Sequence, residues 1–389
     1  MKEAIRKEQL DGWLFCNFRH RDKLADEILK IRSGFTNSRR WIYAVPLEGE
    51  PLKIVHAIEG EALNDLPGRE ITYISRDDLL AGLKRLGGKR WGVHSSPALA
   101  AISYLDAGTA ETFREAGLIL CSAAGLVQRF KGLLDRDAIA SHERAAEHLY
   151  QIVEIAWDRV KRAYTGGMEL YEGNIQDLIN DEFARRHLVT DHLPIVAAGG
   201  NSGNPHYDFS GMGARFKEGD VIQFDLWAKE NKPGAVIADI SWAGIFAAGA
   251  PEGIAKTFGD LVNAREGALR YIEEELSSCR NLSGADVDRK TRSLLIDLGY
   301  EAALKHRTGH GIDTEVHGSG VNMDSVEFPD SRLILEGSCF SLEPGIYFPD
   351  FGFRTEIDVY IQNGRPVVSG GGYRRQFGLL CCGEESGIL

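Results

Sequence analysis

The sequence predicts two domains, a smaller α/β domain over residues 1–135 followed by a larger α+β domain over residues 136–389. Three observations support this prediction. The chain has 389 residues, which is enough to enclose two large cores. Short apolar runs of strand length alternate with helical patterns up to about residue 135, as in an α/β domain. Beyond that point a succession of helix, helix and strands occurs twice, which indicates an internal duplication.

The first domain has four segments rich in strand-forming residues and two with the apolar spacing of helices. The predicted strands are Gly12–Cys16, Trp41–Val45, Pro51–Val55 and Arg90–Val93, and the predicted helices are Arg21–Arg32 and Asp77–Leu86. The polar segment Asn17–Asp22 follows the first strand and contains His20, which we interpret as a histidine of a surface loop. We find no combination of acidic residues and histidines in this domain that indicates catalysis.

Two pairs of helices organise the second domain. The charged segment Asp135–Asp137 marks its start, and apolar residues along one face predict a long amphipathic helix from Ala138 to Tyr164. The other predicted elements are a helix over Glu172–His187, a strand over Leu193–Ala197, and helices over Ile254–Leu276 and Gly284–Leu298. Histidines on helices are usually structural or exposed, and we interpret His142, His148 and His187 in this way.

Two aspartates lie on a predicted hairpin between the helix pairs. Val221–Trp227 and Ala235–Ile240 have the composition of strands and flank a polar turn. A turn centred near Lys232 places Asp225 directly opposite Asp239, where like charges repel unless a cation lies between them. The alternative is a pair of acids at a solvated edge of the hairpin.

The most unusual stretch of the sequence runs from His306 to Glu356. It contains His306, His310 and His317, followed by Glu343 and Glu356, among glycines and apolar residues. Imidazoles and carboxylates in apolar surroundings are costly to bury unless they bind something. A metal ion is the commonest partner for such a set.

Composition excludes several classes of protein. The net charge of -12 argues against a nucleic-acid partner and against binding to an anionic membrane. No apolar run has the length of a membrane span, and the charged start of the sequence lacks the apolar core of a signal peptide. We therefore expect a cytoplasmic protein. The six cysteines are scattered, so free and mostly buried thiols are expected rather than a zinc or redox motif.

These motifs resemble those of the pita-bread metallopeptidases, which include methionine aminopeptidase, aminopeptidase P and proline dipeptidase. The resemblance rests on Thr308–Ile312, Glu315–His317, Glu343–Tyr347 and Arg354–Glu356. It implies a pita-bread fold with internal duplication for residues 136–389. For residues 1–135 it implies a domain similar to the N-terminal domain of creatinase and aminopeptidase P. A homodimer is also expected.

The resemblance implies two divalent metal ions held by Asp225, Asp239, His310, Glu343 and Glu356. In this family pattern Asp239 and Glu356 bridge the ions, Asp225 completes one of them, and the other two residues complete the second. Carboxylates and imidazole suit Mn(II) best, with Co(II), Zn(II) or Fe(II) as alternatives. A hydroxide that bridges two such ions would be the nucleophile.

The remaining candidate residues are also assigned by resemblance. Glu343 would carry the proton of the attacking water, and His317 and His206 would stabilise the oxyanion that forms during hydrolysis of an amide. His306 and Arg354 match positions that hold the substrate in the proline-specific branch of the family. The predicted activity is hydrolysis of the N-terminal Xaa-Pro bond of a peptide by a metallo-aminopeptidase. Two alternatives remain, namely a proline dipeptidase and a pita-bread protein with a non-peptidase role.

The sequence departs from the family pattern at the hairpin. Thirteen residues separate Asp225 from Asp239, whereas the family usually has ten. Ser241 and Trp242 stand where the family often has threonine and arginine. We expect Ser241 to supply a supporting hydroxyl, and Trp242 or Tyr207 to supply part of an apolar wall for the proline ring.

Overall fold

The structure is a computed structural model that describes residues 1–32, 34, 36–370 and 379–383. The chain forms two compact units, Met1–Lys131 and Gly132–Leu389, here called the N-terminal unit and the C-terminal unit. The predicted boundary after Asp135 lies just inside the C-terminal unit, because Asp135 caps the first helix of that unit. Its side chain accepts hydrogen bonds from the backbone N–H groups of Asp137 and Ala138, which supports the first helical turn.

The N-terminal unit is built on a mixed sheet of six strands in the order β4-β3-β2-β1-β5-β6. Strand β2 is antiparallel to β1 and to β3, and the other neighbours are parallel. Alternate residues of β1 enter two cores, with Trp13 and Phe15 in one and Leu14 in the other, so both faces of the sheet are covered. The strands are β1 (Gly12–Asn17), β2 (Trp41–Pro46), β3 (Leu52–His56), β4 (Arg69–Tyr73), β5 (Arg90–Val93) and β6 (Ile119–Ser122). The helices are α1 (Lys2–Lys7), α2 (Lys23–Leu29), α3 (Arg76–Lys84), α4 (Ala107–Glu115) and α5 (Ala124–Phe130), with 3-10 turns at Ala57–Leu63 and Ala100–Ile102.

All four predicted strands and both predicted helices of this unit are present, with ends shifted by a few residues. The predictions omit β4 and β6, which lie at the two edges of the sheet. Strand β4 begins with the exposed Arg69 and Glu70, and β6 begins with the exposed Ile119, so neither has the continuous apolar run of a buried strand. Helix α2 is shorter than predicted because Lys30 adopts a left-handed conformation, which ends a helix.

The C-terminal unit contains four helices and ten strands in its described residues. The helices are α6 (Arg136–Thr165), α7 (Glu172–Arg185), α8 (Glu252–Ser277) and α9 (Gly284–Asp297), with 3-10 turns at Gly199–Gly203 and Glu301–Ala303. The strands of the first half are β7 (Leu188–Val189), β8 (Ile195–Ala198), β9 (Val221–Glu230) and β10 (Ala238–Ile245). The others are β11 (Cys339–Leu342), β12 (Gly345–Tyr347), β13 (Gly352–Arg354), β14 (Ile357–Gln362), β15 (Arg365–Val368) and β16 (Leu380–Cys381).

The order of two helices followed by strands occurs twice in the C-terminal unit, as predicted. In the first half, α6 packs against β9 and β10, where Trp157 and Phe224 share one core. In the second half, α8 packs against α9 and β15, and Ile272 shares a core with Phe340 and Val359. The strands form one sheet in the order β16-β10-β9-β7 with β8 also on β9, a second sheet β11-β14-β15, and the hairpin β12-β13.

The hairpin β9–β10 has a different register from the predicted one. Asp225 lies opposite Ser241, and Asp239 lies opposite Trp227, so the prediction that the two aspartates face each other directly was wrong. The reason is the connection between the strands, where Ile237 donates its backbone N–H to Asp313 instead of pairing with β9. The register differs by two residues, and side chains alternate along a strand. Asp225 and Asp239 therefore still share one face.

The end of the chain adds one strand to the first half. The segment after Val368 is predicted as a loop or a short extension, and part of it, Leu380–Cys381, pairs parallel with Gly244 and Ile245 of β10. The rest of that prediction lies on residues 371–378 and 384–389, outside the described residues. All six cysteines are free thiols, as expected. Within the described ranges, no helix combines the length and the apolar composition that a membrane crossing requires.

Candidate metal centre

The five predicted metal ligands are all buried in the C-terminal unit, each at most 8% exposed. Asp225 lies on β9 and Asp239 on β10, whereas Glu343 follows β11 and Glu356 follows β13. His310 lies in an irregular segment, and its backbone carbonyl accepts the N–H of Ser341 on β11. The structure therefore brings residues that are more than a hundred positions apart in sequence to one buried place.

Three of these side chains offer ligand atoms to one point. Atoms of Asp239, His310 and Glu356 all lie within 4.8 Å of one another. The Nε2 atom of His310 is 3.6 Å from Asp239 Oδ2 and 3.2 Å from Glu343 Oε1. Glu343 thus approaches the same imidazole nitrogen as Asp239.

Arg354 and Ser241 connect Asp225 to this group. The Arg354 guanidinium donates to Asp225 Oδ2, and its Nε donates to Ser241 Oγ at 2.9 Å. The Ser241 hydroxyl lies 2.8 Å from Asp225 Oδ1 and 2.8 Å from Glu356 Oε2, and its single proton serves one carboxylate at a time. Ser241 therefore has the supporting position expected for its hydroxyl.

The unused oxygen atoms of this group fit a metal ion. Within the described residues, Asp239 Oδ1 and Glu356 Oε1 are buried and have no hydrogen-bond partner. Burial and then repulsion from neighbouring carboxylates raise the pKa of Asp239 and of Glu356 well above the ordinary range. Buried anions of this kind need a cation, and carboxylates with one imidazole are a donor set for divalent metals. Among the five predicted ligands, Asp239 and Glu356 are the two with a fully buried oxygen that has no partner in the described ranges.

His310 is in the form that a metal binds. Burial, more than any neighbouring charge, lowers the pKa of His310 to about 3, so its imidazole is neutral. A neutral imidazole can give its lone pair to a metal ion. The backbone N–H of His310 donates to Ser341 Oγ at 3.0 Å, and the same oxygen lies 3.0 Å from Glu343 Oε1. Ser341 therefore links two predicted ligands.

A glycine allows the close backbone approach that places His310. A Cβ atom on Gly309 would lie 2.0 Å from the carbonyl oxygen of Ser341, well inside van der Waals contact. Thr308, just before it, is held by Asp288, which accepts hydrogen bonds from the Thr308 N–H and hydroxyl at 2.9 and 2.6 Å. The Thr-Gly-His motif thus encodes backbone contact as well as a ligand.

Two residues that the sequence analysis gave no part in the site hold the start of β10. Asp358 Oδ2 accepts the backbone N–H of Asp239 at 2.7 Å, and His142 Nδ1 lies 2.6 Å from the carbonyl oxygen of Ile237. His142 is fully buried on α6, so it is structural, as interpreted, but it supports the segment that carries Asp239. The sequence could not predict this role, because histidines on helices occur at many positions that have no contact with a functional site.

The predicted substrate and oxyanion residues lie at different depths. The His317 ring meets the His310 ring edge-on with 4.5 Å between centroids, and His317 is exposed. His206 is also exposed. His306 Nε2 lies 2.8 Å from the hydroxyl oxygen of Tyr347. All three histidines are therefore more exposed than the five predicted ligands, and His317 lies against one of them.

The loop that carries His206 is organised by Glu172, which the sequence analysis missed. The Glu172 carboxylate is fully buried and accepts hydrogen bonds from the Ala198 and Ala214 N–H groups at 2.9 and 2.6 Å. It also accepts from Asn201 Nδ2 at 2.9 Å and from the Tyr207 hydroxyl at 3.0 Å. These partners lie 26 to 42 residues away in sequence, so no local motif could reveal them.

Trp242 does not face the predicted ligands. It follows Ser241 on β10, and neighbouring residues of a strand point to opposite faces. Trp242 is accordingly buried in the core between the sheet and α6, where its ring meets Tyr150 edge-on at 5.9 Å. The expectation that Trp242 forms part of a wall for a proline ring was therefore wrong.

The N-terminal unit contains two acid–histidine pairs that the sequence analysis did not single out. His94 Nδ1 lies 2.7 Å from Asp22 Oδ2 in a buried pair, and Trp13 Nε1 donates to His94 Nε2 at 3.2 Å. His20, expected on a surface loop, is half-buried and lies 2.8 Å from Asp26 Oδ2. Both nitrogens of His94 are thus occupied, and Asp22 also caps α2, so this pair stabilises the fold of the unit.

Comparison with known proteins agrees with this geometry. The sequence profile of metallopeptidase family M24 matches residues 91–363. The chain is 26% identical over 238 residues to a putative Xaa-Pro aminopeptidase of Mycoplasma pneumoniae, a match that covers 60% of this chain and 62% of that relative. The chain thus spans about three fifths of the length of that relative.

Solved structures show the same fold across nearly the whole chain. Dipeptidase PepE from Mycobacterium ulcerans has a TM-score of 0.70 at 19% identity, covering 98% of this chain and 95% of its own. The N-terminal domain of the FACT complex subunit SPT16 from chickpea, Cicer arietinum, has a TM-score of 0.66 at 12% identity, covering 95% and 94%. These likenesses confirm the predicted α+β pita-bread fold class. With the profile match over more than half of its length, the chain belongs to metallopeptidase family M24.

Proposed function

We propose that this chain is a metal-dependent aminopeptidase that hydrolyses the bond between an N-terminal residue and proline. The observation that carries the proposal is the set of buried carboxylates around His310, in which Asp239 Oδ1 and Glu356 Oε1 have no partner among the described residues. Asp225, Asp239, His310, Glu343 and Glu356 would hold two divalent ions, with Mn(II) favoured by the donor set. When bound, such a pair supplies a Lewis acid and makes water nucleophilic near neutral pH.

Glu343 is the residue of the site that is best placed to take a proton. Its Oε1 is occupied by Ser341 and His310, at 3.0 and 3.2 Å. Its Oε2 lies 3.9 Å from Arg354 Nε, too far for a hydrogen bond. This oxygen can accept the proton of the attacking water and pass it to the leaving nitrogen.

His317 and His206 supply donors for the oxygen of the bond that is cleaved. Both side chains are exposed, and His317 lies against His310, so each can reach a substrate above the buried carboxylates. A donor aimed at the developing oxyanion stabilises the transition state more than the ground state. His306 would contribute through Tyr347, which it contacts, by fixing the side of the pocket that receives the peptide.

Selectivity for proline follows from a chemical difference at the second residue. A proline amide nitrogen carries no N–H, so its site needs an apolar wall and donors for the carbonyl oxygen only. Tyr207 is the predicted wall residue that remains after Trp242 is excluded, and its ring lies 5.8 Å from that of Phe209. The relative in Mycoplasma pneumoniae bears the name Xaa-Pro aminopeptidase, which supports this choice of substrate.

The test is a peptide panel measured together with metal analysis of the same sample. We expect about two divalent ions per chain after incubation with Mn(II), and faster cleavage of Xaa-Pro-Xaa than of Xaa-Ala-Xaa tripeptides. Equal rates on the two series would indicate a general aminopeptidase. Two bound ions without cleavage of either series would favour a non-peptidase role. Light scattering of this sample would test the expected homodimer.

A proline dipeptidase is the second candidate. The dipeptidase PepE has the same fold over nearly the whole chain, which favours this candidate. A dipeptidase would cleave Xaa-Pro and leave longer peptides intact, so adding a third residue to the substrate distinguishes the two candidates.

A further inference from the structure

We propose that the loop of residues 325–329, here called the rim loop, binds an apolar side chain on the residue that follows proline in the substrate. This inference rests on the proposed peptidase function and adds the substrate class to it, namely peptides of three or more residues with an apolar third residue. Val326 and Phe328 make the contact. The sequence analysis assigned no role to either of them.

Val326 and Phe328 are two large apolar side chains that the fold leaves in contact with solvent. Val326 is 56% exposed and Phe328 is 50% exposed, and Glu327 and Pro329 beside them are exposed as well. Single apolar residues at a protein surface are common. Two of them on one short loop bring apolar surface together, and such surface marks a binding site when the loop is rigid and lies beside a ligand pocket.

The backbone of the rim loop is fixed by a buried carboxylate. Asp324 is fully buried. Its carboxylate accepts the backbone N–H groups of Val326, Glu327 and Phe328 at 2.9, 3.0 and 3.2 Å. The N–H of Asp330 donates to the carbonyl oxygen of Asp324 at 2.9 Å, which closes the loop. Because this backbone is already ordered, binding a substrate to it costs little conformational entropy.

A second buried carboxylate ties the rim loop to the segment that carries His310. Asp288 Oδ2 accepts hydrogen bonds from the N–H and the hydroxyl of Ser325 at 2.7 and 2.5 Å. Its other oxygen accepts the two hydrogen bonds from Thr308. One fully buried side chain of α9 therefore sets the distance between the two segments. The rim loop thus belongs to the same framework as the predicted metal ligands.

The backbone register places the rim loop on the side of His306. Gly309 and Met323 exchange two backbone hydrogen bonds as an antiparallel bridge, at 3.2 and 3.0 Å. The residues before Gly309 therefore run alongside the residues after Met323. His306 lies three positions before this bridge and Val326 three positions after it, so the two share one side of the site. The contacts that Asp288 makes with both segments agree with this course.

The course of the substrate follows from the proposed function, in which His306 and its partner Tyr347 form the side of the pocket that receives the peptide. The residue before a proline is restricted to extended conformations, and an extended chain advances about 3.3–3.6 Å per residue. The residue after proline therefore leaves the pocket beside the rim loop. An apolar side chain there covers Val326 and Phe328 and removes apolar surface from water. The negative charge of Glu327 between them disfavours an acidic residue at this position.

The experiment measures one ratio on the metal-loaded protein, kcat/KM for Ala-Pro-Phe divided by kcat/KM for Ala-Pro-Ser. We expect the parent to favour Ala-Pro-Phe by about 5- to 20-fold, the factor that corresponds to burial of about 40–70 Å² of apolar surface. Phe328→Ser should bring the ratio close to one. The change should lie mainly in KM, because the contact is the same in the ground state and in the transition state. Phe328→Leu should keep most of the preference, because it remains apolar.

Leu298→Ser is the matched control. Leu298 is also 50% exposed. It caps the end of α9, ten positions after Asp288 and about 15 Å from it along the helix axis, so this variant should keep the ratio of the parent. Light scattering and metal analysis of each variant should show the oligomeric state and the metal content of the parent. A change of oligomeric state in Phe328→Ser would make the rim loop a contact between subunits and would overturn the inference.

Binding separates this inference from the proposed function. Both peptides are titrated by calorimetry into metal-free protein, in which no turnover complicates the measurement. Tighter binding of Ala-Pro-Phe that Phe328→Ser abolishes, without cleavage by the metal-loaded protein, would sink the proposed activity and leave the rim-loop contact intact. Cleavage of both peptides at equal rates by the parent, or an unchanged ratio in Phe328→Ser, would overturn the inference and leave the proposed activity standing. Cleavage of Ala-Pro alone would also overturn it, because a dipeptide has no residue after proline.

Discussion

The two halves of the C-terminal unit hold their predicted ligands in different ways. Asp225 and Asp239 lie within the continuous strands β9 and β10, whereas Glu343 and Glu356 lie at the breaks between short strands. In the first half, the hydrogen-bonded ladder sets the positions of the acids. In the second half, side-chain hydrogen bonds and close backbone contacts do so, as the approach of Gly309 to Ser341 shows. A regular hairpin tolerates a longer turn, but the second half depends on individual small residues.

The halves also hold each other. Asp358 of β14 accepts the N–H of Asp239 on β10, and Ser241 of β10 reaches Glu356 at the end of β13. Each half thus supplies a hydrogen bond to a predicted ligand of the other. A buried group of acids can be assembled in this way only when both halves are folded, and a metal would add to the stability of the assembled state.

The largest effect is expected from Asp239, a residue of the first half that Asp358 of the second half holds by a hydrogen bond. Asp239→Ala removes a predicted bridge between two ions, so both ions should be lost together and turnover should fall by more than about 1000-fold. Elemental analysis of the purified variant checks the metal, and a peptide assay checks the turnover.

The control for this variant is Asp177→Ala, at an exposed aspartate of α7, which should keep the metal content and the activity of the parent. Full occupancy by two ions in Asp239→Ala would remove Asp239 from the ligand set. Loss of one ion only would show that the halves bind their metals separately.

The second effect concerns His317, a side chain of the second half that is proposed to contact the substrate. His317→Ala should fold and keep its metals but lose turnover by about 100- to 1000-fold, because it removes one proposed donor to the oxyanion. Turnover is measured at saturating peptide, and metal content is measured on the same sample. Normal turnover would make the contact between His317 and His310 a packing contact only.

The contrast between the halves explains what the sequence could and could not predict. The long helices and the ligand motifs were predictable, because amphipathic spacing and the order Thr-Gly-His carry local signals. The register of β9 and β10 was not, since Ala235–Ile237 has the composition of a strand but Ile237 donates its backbone N–H to Asp313 instead. The role of Glu172 depends on partners far along the chain. Such features are decided by tertiary contacts.

The third effect tests the dependence of the second half on a small residue. Gly309→Ala places a Cβ atom 2.0 Å from the Ser341 oxygen, so the backbone must move, which typically costs about 1–3 kcal/mol. We expect a lower free energy of unfolding in denaturant titrations, together with weaker metal binding, because His310 follows directly.

Gly259→Ala is the matched control for Gly309→Ala. Gly259 lies on α8, and no atom lies within 4 Å of a Cβ built there. This variant should be neutral or more stable by up to about 1 kcal/mol, since alanine is the better helix former. Equal stability of the two variants would show that the second half adjusts to a methyl group as easily as a helix surface does.

The smallest effect concerns His142, which supports the start of β10. It appears only as a dependence of the free energy of unfolding on pH. Burial lowers the pKa of His142 below its ordinary value of 6.5, although the carbonyl oxygen of Ile237 opposes this shift. The unfolded chain therefore binds a proton at this histidine more readily than the folded chain does. The stability that the neutral His142 contributes is fully present above pH 6.5 and is lost as the pH falls toward the lower pKa of the folded state.

His142→Gln removes this titration, so the free energy of unfolding should fall less steeply below pH 6.5. The difference in slope is at most about 1.4 kcal/mol per pH unit, the value for one proton. Denaturant titrations at several pH values from 5 to 8 measure it on metal-free protein, so that metal release does not enter the result. The control is His192→Gln, because the His192 side chain is 75% exposed and should leave the slope unchanged. If His142→Gln and the parent have parallel pH profiles, His142 has the same pKa in the folded and unfolded states, and its neutral form does not contribute to the stability of the fold.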